Sequence, residues 1–155
     1  MKKSVYIETS IPSYLTARPS RDIRVLAWQQ ITDQWWEESR NKYDLFISQL
    51  VTIEAGAGNP EAAARRLDAI KNIPELTVDD EMENFAQKLI NEKVVPPSAK
   101  ADALHISTSI VHSVDYLLTW NCRHINNVDV KLSIRKICES VGYSYTEICS
   151  PIELL

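Results

Sequence analysis

The sequence predicts an α/β domain: a central parallel sheet of about five strands with helices on both faces. Three observations carry this. Short β-rich apolar runs alternate with longer segments of helical period along the whole chain. The 155 residues, 45% hydrophobic and 25% charged, suit a single globular domain over 1–155 with a real core. Polar residues with ligand chemistry follow the strand tips, Glu8 after the first run and Asn121 after the fourth. In open α/β sheets, binding sites lie outside the carboxyl ends of the strands, where the strand order reverses.

The elements follow in order. "KSVYI" (3–7) is a β-rich run, and Glu8 comes directly after it. "SIPSYLTARPS" (10–20) reads as a short helix or turn, with Ser10 as its cap and Pro12 near the first turn. In 21–41, Ile23, Leu26, Ala27, Ile31, Trp35 and Trp36 recur at helical spacing. "DLFIS" (44–48) is a second buried strand, followed by a helix over 48–58 capped by Ser48 and fading at Gly56 and Gly58. Asn59 caps, and Pro60 opens, a strong helix over 59–72. "ELTV" (75–78) is a third strand. Acids in the first turn of 79–94 suit a helix dipole. A Pro-Pro break precedes a helix over 96–114 capped by Ser98. "DYLLT" (115–119) is a fourth strand, 129–142 a helix closed by Gly142, and "YTEIC" (145–149) a fifth strand.

Composition excludes several classes. Three glycines, at 56, 58 and 142, leave no glycine-rich dinucleotide or phosphate loop. Cys122, Cys138 and Cys149 are odd in number and lack C-x-x-C spacing, which argues against a disulfide framework or zinc site. They read as small buried or half-buried residues of a cytoplasmic protein. No stretch approaches the roughly 18 consecutive apolar residues of a membrane span. "MKKSVYIETS" has no apolar run behind its lysines, so no signal peptide is expected. A net charge of −4 is not the footprint of a protein that coats nucleic acid by charge alone. A nucleic-acid substrate would need local basic residues or bound cations to offset its phosphates.

Glu8, Glu54 and Asp102 are acids on separate elements near one predicted sheet edge, and Asn121 lies beside them. Carboxylate oxygens are the ligands Mg²⁺ and Mn²⁺ prefer. Each residue also has an ordinary reading: a strand-end polar group, a solvated helix face, an acid near a helix N-terminus, a turn asparagine. At about 100° per residue, Asp102, His105 and Ser109 share a polar helix face opposite Ala103, Leu104, Ile110 and Val111. His105 then sits one turn above the site in a supporting or structural role. His124 contacts phosphate or bonds within its loop, and His112 is at the surface. Trp28, Trp35 and Trp36 serve core or dimer packing rather than base stacking.

Together, "YIETS", "SQLVTIEAGAG" and "KADALHISTSIVHSVDYLLTWNCRHINN" resemble the PIN domain, in its branch of VapC-like toxins of bacterial toxin–antitoxin pairs. The resemblance covers nearly the whole chain, and "ADALHIS" with "DYLLTWNCRHI" is its specific part. It implies a compact three-layer α/β/α sandwich that hydrolyses RNA phosphodiesters with Mg²⁺ or Mn²⁺. By position, Glu8, Glu54 and Asp102 take the family's first three acids, Asn121 falls on the fourth, and Thr119 is the companion hydroxyl. Glu8 replaces the usual aspartate, and Asn121 removes one charge; both departures weaken the expected metal site. Ser10 or Thr9 would hold Glu8 or bond a phosphate. Arg18, Arg21, Arg24, Arg123 and His124 would guide RNA. The resemblance also implies an antitoxin partner and a homodimer, with helices 21–41 and 79–94 as candidate interfaces. The rival is a PIN-fold binding module with little catalysis, its acidic pocket filled by a partner's arginine. An unrelated flavodoxin-like domain fits the alternation but leaves the aligned acids unexplained.

Overall fold

A computed structural model describes residues 1–155. Its strands are β1 (Lys3–Ile7), β2 (Tyr43–Ser48), β3 (Glu75–Leu76), β4 (Tyr116–Leu118) and β5 (Glu147–Cys149). Its helices are α1 (Ser10–Thr16), α2 (Ile23–Glu38), α3 (Gln49–Ala55), α4 (Pro60–Ile70), α5 (Asp80–Asn91), α6 (Lys100–Val111) and α7 (Val128–Val141). The sheet has the order β3-β2-β1-β4-β5, with every pairing parallel. Helices cover both faces, so the predicted three-layer α/β/α sandwich is the fold observed.

The centre of the sheet explains the sequence of β1. Val5 pairs with Leu45 on one side and Tyr116 on the other. Val5, Tyr6 and Ile7 are wholly buried, as a strand covered on both faces must be. The chain runs outward from β1 to β2 and β3, then crosses back to place β4 and β5 on the opposite side. The order therefore reverses between β1 and β4, the topological position at which open α/β sheets bind their ligands. Glu8 lies at that point, its N–H still donating to Leu118 O at 3.1 Å.

Most helix boundaries follow their caps. Asp22 accepts from the amides of Arg24 and Val25 and starts α2. Asn59 accepts from Ala62 N, and Pro60 fills the first helical position of α4. Gly142 closes α7 at φ 83°, a left-handed conformation that suits only glycine well. Three expected serine caps are absent. The Ser10 hydroxyl turns to Glu8, the Ser48 hydroxyl meets Tyr6, and Ser98 lies in a 3-10 turn (Pro97–Ala99) that precedes α6. Asp102 accordingly sits in the first turn of α6. The third strand is shorter than the expected 75–78, because only Glu75 and Leu76 reach β2.

The two-sided pattern predicted for α6 is also corrected. Ser107, Thr108 and Ser109 are buried along with Ala103 and Ile110. A helix between α5 and the sheet can bury hydroxyls because each donates back to a carbonyl of the preceding turn: Ser107 to Ala103, Thr108 to Leu104, Ser109 to Ile106. Trp35 and Trp36 belong to the core of this chain, and Trp28 stacks on Trp120 with centroids 5.2 Å apart. Cys138 and Cys149 are buried thiols, whereas Cys122 is exposed, contrary to expectation, on the loop after β4. His112 bonds Thr77 O at 2.8 Å. No helix is long and apolar enough to cross a membrane.

The amino ends of β1 and β4 are tied by Asp115. Its carboxylate accepts from Ser4 N and Ser4 Oγ, both at 2.9 Å, and from Lys3 Nζ at 3.0 Å. The Ser4 amide, with further help from Lys3, holds the Asp115 carboxyl below its ordinary range against the opposing effect of burial. A carboxyl lowered on folding adds stability above its unfolded pKa of about 4 and loses it as pH falls through the folded value. Asp115→Asn is expected to cost about 1–2 kcal/mol at neutral pH, moderated by partial exposure. Urea titrations from pH 7 to 2.5 check this. The gap to wild type should close below pH ~4, and a gap that persists there contradicts the ionic origin.

Candidate metal-binding site at the carboxyl edge of the sheet

Three elements converge at the carboxyl edge of the sheet. Glu8 leaves β1 only 6% exposed. Its Oε1 accepts from Ser10 Oγ at 2.6 Å and from Thr119 Oγ1, and its Oε2 accepts from Ser10 N at 3.0 Å. Both hydroxyls also accept a backbone N–H, Ser10 from Trp120 and Thr119 from Asn121, each at 2.9 Å. Each hydroxyl is thus satisfied as donor and acceptor. The side chain of Glu8 is laced to the loop that follows β4.

Glu54 comes from the last turn of α3 with 32% of its side chain exposed. Its Oε1 accepts from Thr9 Oγ1 and from His105 Nε2, both at 2.6 Å. Burial pushes the Glu54 carboxyl up, but the hydrogen bonds from His105 and Thr9 work against it, and the group lies below its usual range. The carboxylate form is therefore favoured at neutral pH. His105, one turn beyond Asp102 on α6, is 1% exposed. Its Nδ1 meets Tyr6 Oη at 2.8 Å, and Tyr6 Oη meets Ser48 Oγ at 2.7 Å. Burial raises the Tyr6 hydroxyl far above the ordinary tyrosine range, so it stays protonated.

One ligand atom from each of Glu8, Glu54 and His105 lies within 4.8 Å of the others. The donor set fits a hard divalent cation. Glu54 directs both of its protein contacts to Oε1, leaving Oε2 with two open lone pairs. Glu8 Oε2 accepts a single amide and keeps one. His105 is different, because both ring nitrogens already have protein partners. The geometry offers carboxylate oxygen first and imidazole nitrogen only if a hydrogen bond is given up.

Of the four ligands expected from sequence, the structure gathers Glu8 and Glu54 and adds His105. Asp102 lies outside that group, with Oδ2 3.0 Å from His124 Nδ1. Asn121 turns its oxygen to its own loop, accepting from Arg123 N at 3.3 Å and His124 N at 3.0 Å, the asparagine turn that composition alone allows. Ser10 and Thr119 stand on Glu8, and Thr9 on Glu54. Arg18, Arg21 and Arg123 are exposed, and Arg24 pairs with Asp22 at 3.3 Å. Tyr6 was not singled out from sequence, and Ser48 was read only as a helix cap. The available signal was a tyrosine inside a fully buried strand, whose hydroxyl must find a partner.

The all-parallel sheet, with its order reversing between β1 and β4, defines a doubly wound three-layer α/β/α domain. No protein-family model matches the chain, and no curated protein matches it. A solved structure does: a chain of VapBC2 from Rickettsia felis, crystallised bound to a DNA fragment from its promoter, is 12% identical. The match has a TM-score of 0.54 and covers 95% of this chain and 98% of that one. At that identity the likeness is one of fold, and it spans both chains almost end to end.

Proposed function

We propose that the chain is a Mg²⁺- or Mn²⁺-dependent RNA endonuclease of the PIN type, the toxin of a toxin–antitoxin pair. The observation that carries the reading is the pair of carboxylates at the switch point, each held by hydroxyl or imidazole donors with oxygen lone pairs left open. Glu8, Glu54 and Asp102, with Asn121 nearby, are the residues that would hold the cation. When bound, it supplies Lewis-acid activation of water and offsets charge on a phosphoryl group. Ser10 and Thr119 hold the Glu8 carboxylate in place. Thr9 and His105 do the same for Glu54. Arg123 and His124 on the loop after β4, with Arg18 and Arg21 on the loop after α1, would steer the RNA backbone. The substrate is single-stranded or loop RNA, whose phosphates and bases are open to approach.

The fold neighbour is a VapBC assembly, which supports an antitoxin as the partner of this chain; a homodimer in the cytoplasm completes the reading. An antitoxin arginine would suit the two carboxylates through charge-assisted bonds. That arrangement also frames the second reading, a binding module with weak catalysis. It is favoured by the Asp102–His124 pair and by the Asn121 oxygen, both engaged away from Glu8 and Glu54.

Partner-free protein incubated with a labelled RNA pool decides between them. Cleavage is expected with Mn²⁺ or Mg²⁺, lost on chelation and restored by excess metal. No cleavage under any metal, from protein shown to be folded, moves the assignment to the binding module.

A further inference from the structure

The Tyr6–His105 contact joins the middle of β1 to α6 underneath the carboxylates. Glu54 is an acceptor, so His105 Nε2 carries the proton between them. A neutral ring then accepts at Nδ1 from the Tyr6 hydroxyl, which in turn accepts from Ser48. The result is a directed chain: Ser48 to Tyr6, Tyr6 to His105, His105 to Glu54, at 2.7, 2.8 and 2.6 Å. Tyr6, Ser48 and His105 are all buried. The Tyr6 and His105 rings also meet edge to face, with centroids 5.8 Å apart. The imidazole is thus fixed at both nitrogens and along one ring edge.

We propose that Tyr6 and His105 are positioning residues for Glu54, holding one carboxylate oxygen so that the other is presented to a divalent cation. This rests on the metal-site reading given above and specifies how the chain prepares it. Glu54 sits in the last turn of a seven-residue helix with a partly exposed side chain, and such a glutamate samples several rotamers. Two short bonds to Oε1 remove that freedom. Thr9, beside Glu8, supplies one of them. His105, anchored through Tyr6 to the central strand of the sheet, supplies the other. His105 is then not itself a ligand, because ligation through Nε2 would break the bond that orients Glu54.

Wild type, Tyr6→Phe, His105→Ala and His105→Gln are compared, with thermal melts to confirm folding. Partners of metal-ligating side chains typically govern about 10- to 100-fold in metal affinity. Tyr6→Phe keeps the ring and removes only the hydroxyl. It is expected to weaken Mn²⁺ binding about 10-fold, and His105→Ala about 100-fold. His105→Gln, whose amide still donates to Glu54, should recover most of the loss. Electron spin-echo spectroscopy of Mn²⁺-loaded wild type should show no directly coordinated nitrogen. Equal affinity in all four folded proteins overturns the proposal, as does a coordinated imidazole.

A metal-independent arm separates this from failure of the nuclease reading. In ¹⁵N-detected spectra without metal, Tyr6→Phe should shift the His105 Nδ1 signal and also move the Glu54 carboxyl ¹³C signal. Wild type that binds no Mn²⁺ but shows these shifts keeps the positioning chain and loses the metal site. Unmoved signals overturn the chain whatever the metal does.

Discussion

Glu54→Gln is expected to lower metal-dependent RNA cleavage by roughly 10²–10³-fold, the rate equivalent of losing several kcal/mol of cation-derived stabilisation. The protein should remain folded, with a melting temperature within a few degrees of wild type. Glutamine has the length of glutamate, and its carbonyl can accept from His105 and Thr9 just as Oε1 does. That orientation points the NH₂ where Oε2 stood, and an NH₂ cannot ligate a cation. Metal affinity and activity should therefore fall together while the fold persists. Calorimetric Mn²⁺ titration beside the cleavage assay reads both.

The corresponding change at Glu8 should behave differently. Both Glu8 oxygens accept protein hydrogen bonds, so a glutamine amide must face a donor whichever way it turns. Glu8→Gln should lose stability as well as activity, in proportion to a buried donor left unpaired. Full cleavage by folded Glu54→Gln would remove Glu54 from the site and with it the nuclease mechanism proposed here.

Trp35→Ala is the second large effect, and it concerns the core. Trp35 is wholly buried between Trp36 and Tyr43, with ring centroids 6.2 Å away in both cases. Truncation of such a side chain costs about 3–5 kcal/mol, from lost burial plus the cavity left behind. At the usual 2–4 °C per kcal/mol for a domain of this size, the melting temperature should fall by roughly 10 °C. Trp35→Phe should cost less than about 2 kcal/mol. The indole Nε1 is buried without a hydrogen-bond partner, so phenylalanine removes an unpaired donor while keeping an aromatic ring against Tyr43. Urea unfolding of both variants checks the pair. A phenylalanine variant as unstable as the alanine variant would show that the indole nitrogen makes a bond absent from this structure.

The fold was legible because its signals are local. The alternation of β-rich and helical segments required a parallel sheet. Asn59-Pro60 and Gly142 fixed their helix ends through backbone chemistry that adjacent residues decide. Glu8 and Glu54 were legible as candidates because a strand tip and the helix after the next strand must approach the same sheet edge. The serine caps misled for a physical reason. A hydroxyl near a helix start can satisfy an amide locally, but Ser10 and Ser48 had stronger partners in Glu8 and Tyr6, brought there by the sheet.

By itself, then, the sequence determined the parallel α/β sandwich, its layer order and the strand ends where acids gather, since periodicity and caps act over a few residues. Only the tertiary structure decided which acids meet and how they are held. Tyr6 and His105 are 99 positions apart, Glu54 and His105 are 51, and Asp102 and His124 are 22. Whether such a pair closes depends on side-chain direction within a few tenths of an ångström. That direction is set by the packing of α3 and α6 against the sheet, which no local pattern encodes.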